Sequence, residues 1–95
     1  MIRFTAPLWR WSGGNWFFVT LPAETASEVR LDAMGQRGGF GSIKVSVRVG
    51  ETSWRTSLFP DKSSGSFLLP MKKSVRQAEG LSLDLPVDIE LEVAG

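Results

Sequence analysis

Two stretches of this chain carry a run of strand-forming residues up to Leu-Pro and then continue in a helical pattern. They are Phe17-Phe18-Val19-Thr20-Leu21-Pro22-Ala23-Glu24-Thr25-Ala26 and Ser66-Phe67-Leu68-Leu69-Pro70-Met71-Lys72-Lys73-Ser74-Val75-Arg76. Proline lacks an N–H and has a fixed φ, so it suits the first position of a helix, where that donor would go unused. Each stretch therefore reads as a strand running into a helix, and the pair suggests one unit used twice.

The flanking residues extend the parallel. Ile2, Phe4, Ala6 and Leu8 alternate with Arg3 and Thr5 in a half-buried strand over Met1 to Trp11. Pro7 cannot donate to a ladder, which predicts a sheet edge or a bulge, and a bulge would bring Trp9 and Trp11 onto the face of Phe4. Ser12-Gly13-Gly14-Asn15 turns the chain into a second strand, Trp16 to Leu21, apolar on both faces and so expected to be covered on both. A helix from Pro22 with an apolar stripe of Ala26, Val29 and Ala33 follows, and Gly35 to Gly41 then forms a loop. Ile43, Val45, Val47 and Val49 alternate cleanly with Lys44, Ser46 and Arg48.

The second half repeats this order. A strand from Thr52 to Phe59 turns through Pro60 to Gly65 into Ser66 to Leu69; Pro70 opens a helix with a stripe of Met71, Val75 and Ala78, and Gly80 closes it. After a connector at Leu81 to Pro86, Val87, Ile89, Leu91 and Val93 alternate with Asp88, Glu90 and Glu92. Leu21-Pro22 corresponds to Leu69-Pro70 at an offset of 48 residues, and Ile43, Val45 and Val47 to Ile89, Leu91 and Val93 at an offset of 46. A unit that cannot close its own sheet is expected to bury it against its twin. The fold class is therefore mainly β, of α+β type. It is a six-stranded pseudo-twofold β-barrel with two short helices, built by internal duplication of a β-β-α-β unit. One barrel domain spans residues 1–95, with halves of about 1–50 and 51–95.

Composition narrows the chemistry. The 95 residues contain no cysteine, histidine or tyrosine, which removes disulfides, thiolate metal sites, the usual neutral-pH base and a phenolic acid. An enzyme is not expected, and no cofactor or metal is called for. The start has no basic segment leading into an apolar run, and no stretch approaches the roughly 18 apolar residues of a membrane span. The expectation is a cytoplasmic chain with no membrane contact. Residues 1–50 carry six Lys or Arg against three acids and residues 51–95 five against seven, so neither half demands nucleic acid.

Three segments carry a family resemblance: Trp16-Phe17-Phe18-Val19-Thr20-Leu21-Pro22, Trp54-Arg55-Thr56-Ser57-Leu58-Phe59-Pro60, and Phe67 through Arg76. They resemble the bacterial domain of unknown function nineteen-oh-five over nearly the whole chain. That likeness implies a small β-barrel of unassigned activity, joined in some members to a bacteriocin-protection-like domain. More distantly, Leu69-Pro70, Gly80 and the strand Val87 to Val93 are similar to the swapped-hairpin barrels of AbrB and MazE type, which implies dimers that bind DNA. Those proteins commonly carry Gly-Asp before the last strand, where this chain reads Leu83-Asp84-Leu85-Pro86, and the last strand here is acidic.

Candidate site residues fall into two groups. Lys72 and Lys73 stand in the first turn of the second helix, against its dipole, with Arg76 one turn on. With Arg55 and Trp54 they could hold an anion; alternatively they are solvated or paired with Asp61 or Asp84. Trp9, Trp11 and Trp16, interleaved with Arg10, form either core and barrel-end packing or an aromatic surface, and exposure of Trp9 and Trp11 would favour the surface. The Gly35 to Gly41 loop fits neither phosphate-loop pattern and reads as a connection. Asp88, Glu90 and Glu92 project in parallel and do not converge on a cation. If their strand neighbours that of Lys44 and Arg48, cross-strand ion pairs would favour joining unlike halves. The functional expectation is a monomeric, non-catalytic binding module for a protein partner or small anionic ligand. Nucleic-acid binding is the alternative.

Overall fold

The computed structural model describes residues 1–34 and 41–94. The elements in chain order are β1 (Ile2–Arg10), β2 (Phe17–Thr20), α1 (Ala23–Asp32), β3 (Ile43–Val49), β4 (Thr52–Asp61), β5 (Ser66–Pro70), α2 (Lys73–Ala78) and β6 (Pro86–Val93). The strands close into an antiparallel barrel in the order β1-β2-β5-β4-β3-β6. Except for Gly41, the predicted glycine loop at 35–41 lies outside the described residues.

Exchanging β1, β2 and β3 with β4, β5 and β6 leaves this list of neighbours unchanged. The registers follow the same rule. At the offset of 48 the pair Thr20↔Leu68 maps onto itself, and at the offset of 46 so does Ser46↔Glu92. A pseudo-twofold axis thus crosses the wall at the β2–β5 contact and again at the β3–β6 contact. This is a symmetry of pairing and is silent on how the halves arose.

Alternation decides what the barrel encloses. Ile2, Phe4, Ala6 and Leu8 on β1, Val45 and Val47 on β3, and Val87, Ile89 and Leu91 on β6 point inward and are buried, joined by Val19, Leu58 and Leu69. Each of these side chains except that of Ala6 contributes roughly 1.5–3 kcal/mol on burial. The first helix buries Thr25, Ala26 and Val29 and packs on β1 and β5. From its last turn Arg30 donates to the Gly65 carbonyl (2.7 Å) and lies over the Phe67 ring, tying α1 to the β4–β5 turn.

Four expectations are corrected. Pro7 sits in regular alternation and makes no bulge, because its partner in the register is Pro86 and neither residue has a donor to lose. Trp9 therefore lies on the outer face and does not join Phe4. Pro60 belongs to β4, because the Asp61 carboxylate accepts from the Ser64 N–H and hydroxyl and so starts the turn one residue after the proline. The second helix begins at Lys73 with Lys72 as its N-cap, not at Pro70: the Met71 N–H still bonds Phe17 across the sheet (2.8 Å), and helical bonding starts from the Lys72 carbonyl. Finally, among the described residues no further layer covers the outer face of β2, and Phe18 there is only half-buried.

Candidate functional site

The outward side chains of the β1, β2, β5 and β4 wall are where the structure gathers apolar groups that the core does not use. Across it the registers set Trp9 beside Phe18, Phe18 beside Pro70, and Leu68 beside Phe59. Because strand neighbours lie about 4.8 Å apart, these outward side chains form one continuous surface. With Trp11 and Trp16 from the β1–β2 turn they enclose a cleft of about 630 Å³, whose polar lining is Asp61 and Ser63.

Each indole is held differently. The Trp9 ring centroid is 5.3 Å from that of Phe18, and its Nε1–H donates to Thr20 Oγ1 at 2.9 Å, so it is fixed and half-buried. Trp16 stacks on Phe18 at 6.4 Å with 12° between the planes. The turn is closed by Trp11 N–H to the Trp16 carbonyl (2.8 Å) and braced by Arg10, which donates to the Gly14 carbonyl and to Asn15 Oδ1. Gly13 presents no side chain, and the Trp11 ring occupies the place its Cβ would take. Trp11, Trp16 and Phe59 remain 48%, 60% and 47% exposed, so this is surface and not barrel-end packing. The exposed indole pair is Trp11 with Trp16 and not the expected Trp9 with Trp11, because the Trp9 N–H is tied to Thr20 and its ring packs on Phe18.

The pseudo-axis makes the cleft lopsided. The pair Trp9↔Phe18 on one side of Thr20↔Leu68 corresponds to Asp61↔Ser66 on the other. Equivalent backbone positions thus carry rings in one half and a carboxylate and hydroxyl in the other.

Beyond Trp16 and Pro70, which line both, lies a second cleft of about 450 Å³ with Phe17, Lys72, Lys73 and Arg76 on its walls. Arg76 is committed: its Nε donates to the Met71 carbonyl (3.0 Å) and its guanidinium lies over the Phe17 ring. Lys72 and Lys73 are exposed, and among the described residues neither pairs with Asp61 or Asp84. At the offset of 48, Lys72 stands where the first half has Glu24.

Not all predicted residues converge. Lys72, Lys73 and Arg76 adjoin Trp16, and through it Trp9 and Trp11. Arg55 and Trp54 lie apart, on β4 beside β3 and β6; Trp54 packs against the core, and Arg55 lies opposite Ser46. Sequence reading missed Phe18, Phe59, Leu68 and Pro70 as cleft residues. The available signal was that Phe18 and Leu68 place large apolar groups on faces opposite the buried Val19 and Leu69.

On the far wall, β3 does neighbour β6, and Arg48 donates to Glu90 through Nε (3.0 Å) and Nη2 (2.5 Å) while Arg3 approaches from β1 (3.2 Å). The Arg48 hydrogen bonds, reinforced by the charges of Arg48 and Arg3, hold the Glu90 carboxyl below its ordinary pKa against partial desolvation. Asp88 accepts from Thr5 Oγ1 (2.6 Å). Among the described residues no three acidic side chains are placed to hold a metal ion, and no helix is long and apolar enough to cross a membrane.

The chain belongs to the family described as "Domain of unknown function (DUF1905)", whose model matches residues 4–91. That description assigns no activity, and the swapped-hairpin DNA binders do not figure in it. No curated protein matched the chain.

Proposed function

We propose that this chain is a non-catalytic binding module whose ligand face is the aromatic cleft together with the basic shoulder at Lys72 and Lys73. The observation that carries the reading is the contiguity of the two. Trp16 and Pro70 belong to both clefts, so a single ligand can touch exposed rings and free ammonium groups together. Apolar surface of this kind, uncovered in a monomer and rimmed by charge, marks a place where something docks. The test is a pull-down from the native cell with wild type, Trp16→Ala, and the Lys72→Glu, Lys73→Glu double variant. A partner lost with both variants supports the face, and indistinguishable partners overturn it.

A second reading draws on the same contiguity: bases of a single strand stack on Trp11 and Trp16 while Lys72 and Lys73 meet phosphates. Fluorescence anisotropy with labelled duplex and single-stranded oligonucleotides at low and moderate salt decides it. Phosphate contacts make affinity fall steeply with salt, and absence of binding at low salt removes the reading.

A further inference from the structure

We infer that the aromatic cleft takes a short proline-rich protein segment in the polyproline II conformation, with an acidic residue at the end that meets Lys72 and Lys73. This rests on the binding-module reading and goes beyond it by naming the ligand.

The sheet determines how a peptide can bind here. Beneath the cleft β2 lies between β1 and β5, and β5 lies between β2 and β4, so no strand edge is open for an added strand. The occupant must be held by side chains. A polyproline II segment suits that demand, since its backbone makes no internal hydrogen bonds and its rings dock on aromatic grooves at little entropic cost. Its carbonyls need donors. The Trp9 indole N–H is spent on Thr20, whereas those of Trp11 and Trp16 have no partner among the described residues.

Length and charge agree. Measured along β5, the cleft runs from the level of Asp61, whose register partner Ser66 is itself buried, past Leu68 to Pro70, paired with Phe18. Four steps of strand cover about 13 Å, the reach of about four residues at the ~3.1 Å rise of polyproline II. Asp61 stands at one end of this run, and Lys72 and Lys73 follow Pro70 at the other. A polyanion laid along the whole cleft would meet the Asp61 carboxylate, whereas a peptide with its acid confined to the Lys72 end meets opposite charge there. A second copy of the chain is a poorer fit, because a twofold pairing about the pseudo-axis would set the rings on one side against the Asp61 carboxylate on the other.

The experiment is selection of a random-peptide display library on the full chain. Selected peptides are then titrated while the indole ¹⁵N–¹H signals of the four tryptophans are followed. Expected are proline-rich peptides with an acid at one end, shifting the Trp11 and Trp16 signals. Affinity should fall about tenfold or more in Trp16→Ala and in Lys72→Glu, Lys73→Glu, both at exposed positions, with folding verified by circular dichroism. Peptides without proline that shift the same indoles overturn this inference and leave the binding-module reading standing. Binders indifferent to both variants, or none at all, overturn both. Tighter binding of oligothymidylate than of the selected peptides, or dilution-dependent indole shifts from self-association, likewise overturn the peptide assignment.

Discussion

The guanidinium carbon of Arg76 lies 3.7 Å from the centroid of the Phe17 ring, and the Arg76 Nε donates to the Met71 carbonyl. This one side chain joins α2 to β2 and so sets where Lys72 and Lys73 stand relative to Trp16. A cation held over a ring contributes about 0.5–2 kcal/mol, and the hydrogen bond about 1 kcal/mol. Arg76→Ala is expected to cost about 1–2 kcal/mol and lower Tm by several degrees in a thermal melt. Arg76→Lys should recover less than half of that, since an ammonium cannot both stack flat and donate sideways.

Glu90 gives the stability a pH dependence. Folding depresses its pKa, chiefly through the Arg48 hydrogen bonds. Such a group contributes stability that is complete above its unfolded-state pKa and is lost as pH falls through the folded value. Glu90→Gln should therefore be less stable than wild type at neutral pH, and the gap should close as pH drops below the ordinary carboxylate range. Denaturant midpoints across pH measure this. High salt should narrow the neutral-pH gap, because the Arg3 and Arg48 side chains are largely exposed. A gap constant in pH would mean that Glu90 acts through packing alone.

Much of the barrel was legible because alternation is a strong signal: β3 and β6 were read correctly from valine, isoleucine and leucine at every second position. The offsets of 48 and 46 likewise foreshadowed the registers at Thr20↔Leu68 and Ser46↔Glu92. The site was less legible, for three physical reasons. Pro7 reads locally as a broken ladder, whereas its partner Pro86, 79 residues away, has no need of its donor. Phe18 is expected under cover because periodicity cannot tell a second layer from an empty outer face. Arg55 and Trp54 share the chemistry expected beside Lys72, although β4 carries them towards β3 and outside the cleft that Lys72 lines.

Trp9 is the anchored member of the aromatic face, and its anchor can be weighed. The Nε1–H to Thr20 Oγ1 bond at 2.9 Å is part-buried, and a bond of this kind contributes about 1 kcal/mol. Trp9→Phe and Thr20→Val should each destabilise, and the double variant should cost less than their sum by about 1 kcal/mol. Urea titration of the four proteins gives the coupling. Strict additivity would show that the bond adds nothing beyond ring packing.

Gly13 separates ligand-face geometry from stability. A Cβ built there falls inside van der Waals contact with the Trp11 ring, and no positive φ is required of Gly13, so the backbone tolerates alanine while the indole must move. The turn's own bonds, Trp11 N–H to Trp16 and Arg10 to Gly14 and Asn15, do not involve that position. Gly13→Ala should therefore leave Tm within a few degrees of wild type while shifting the Trp11 indole signal and the tryptophan emission. If the cleft is the ligand face, affinity for the selected peptide should fall about as much as in Trp11→Ala, although no contact residue has been removed. Unchanged affinity with a displaced Trp11 would place that ring outside the binding surface and leave Trp16, Phe18 and Phe59 to carry it.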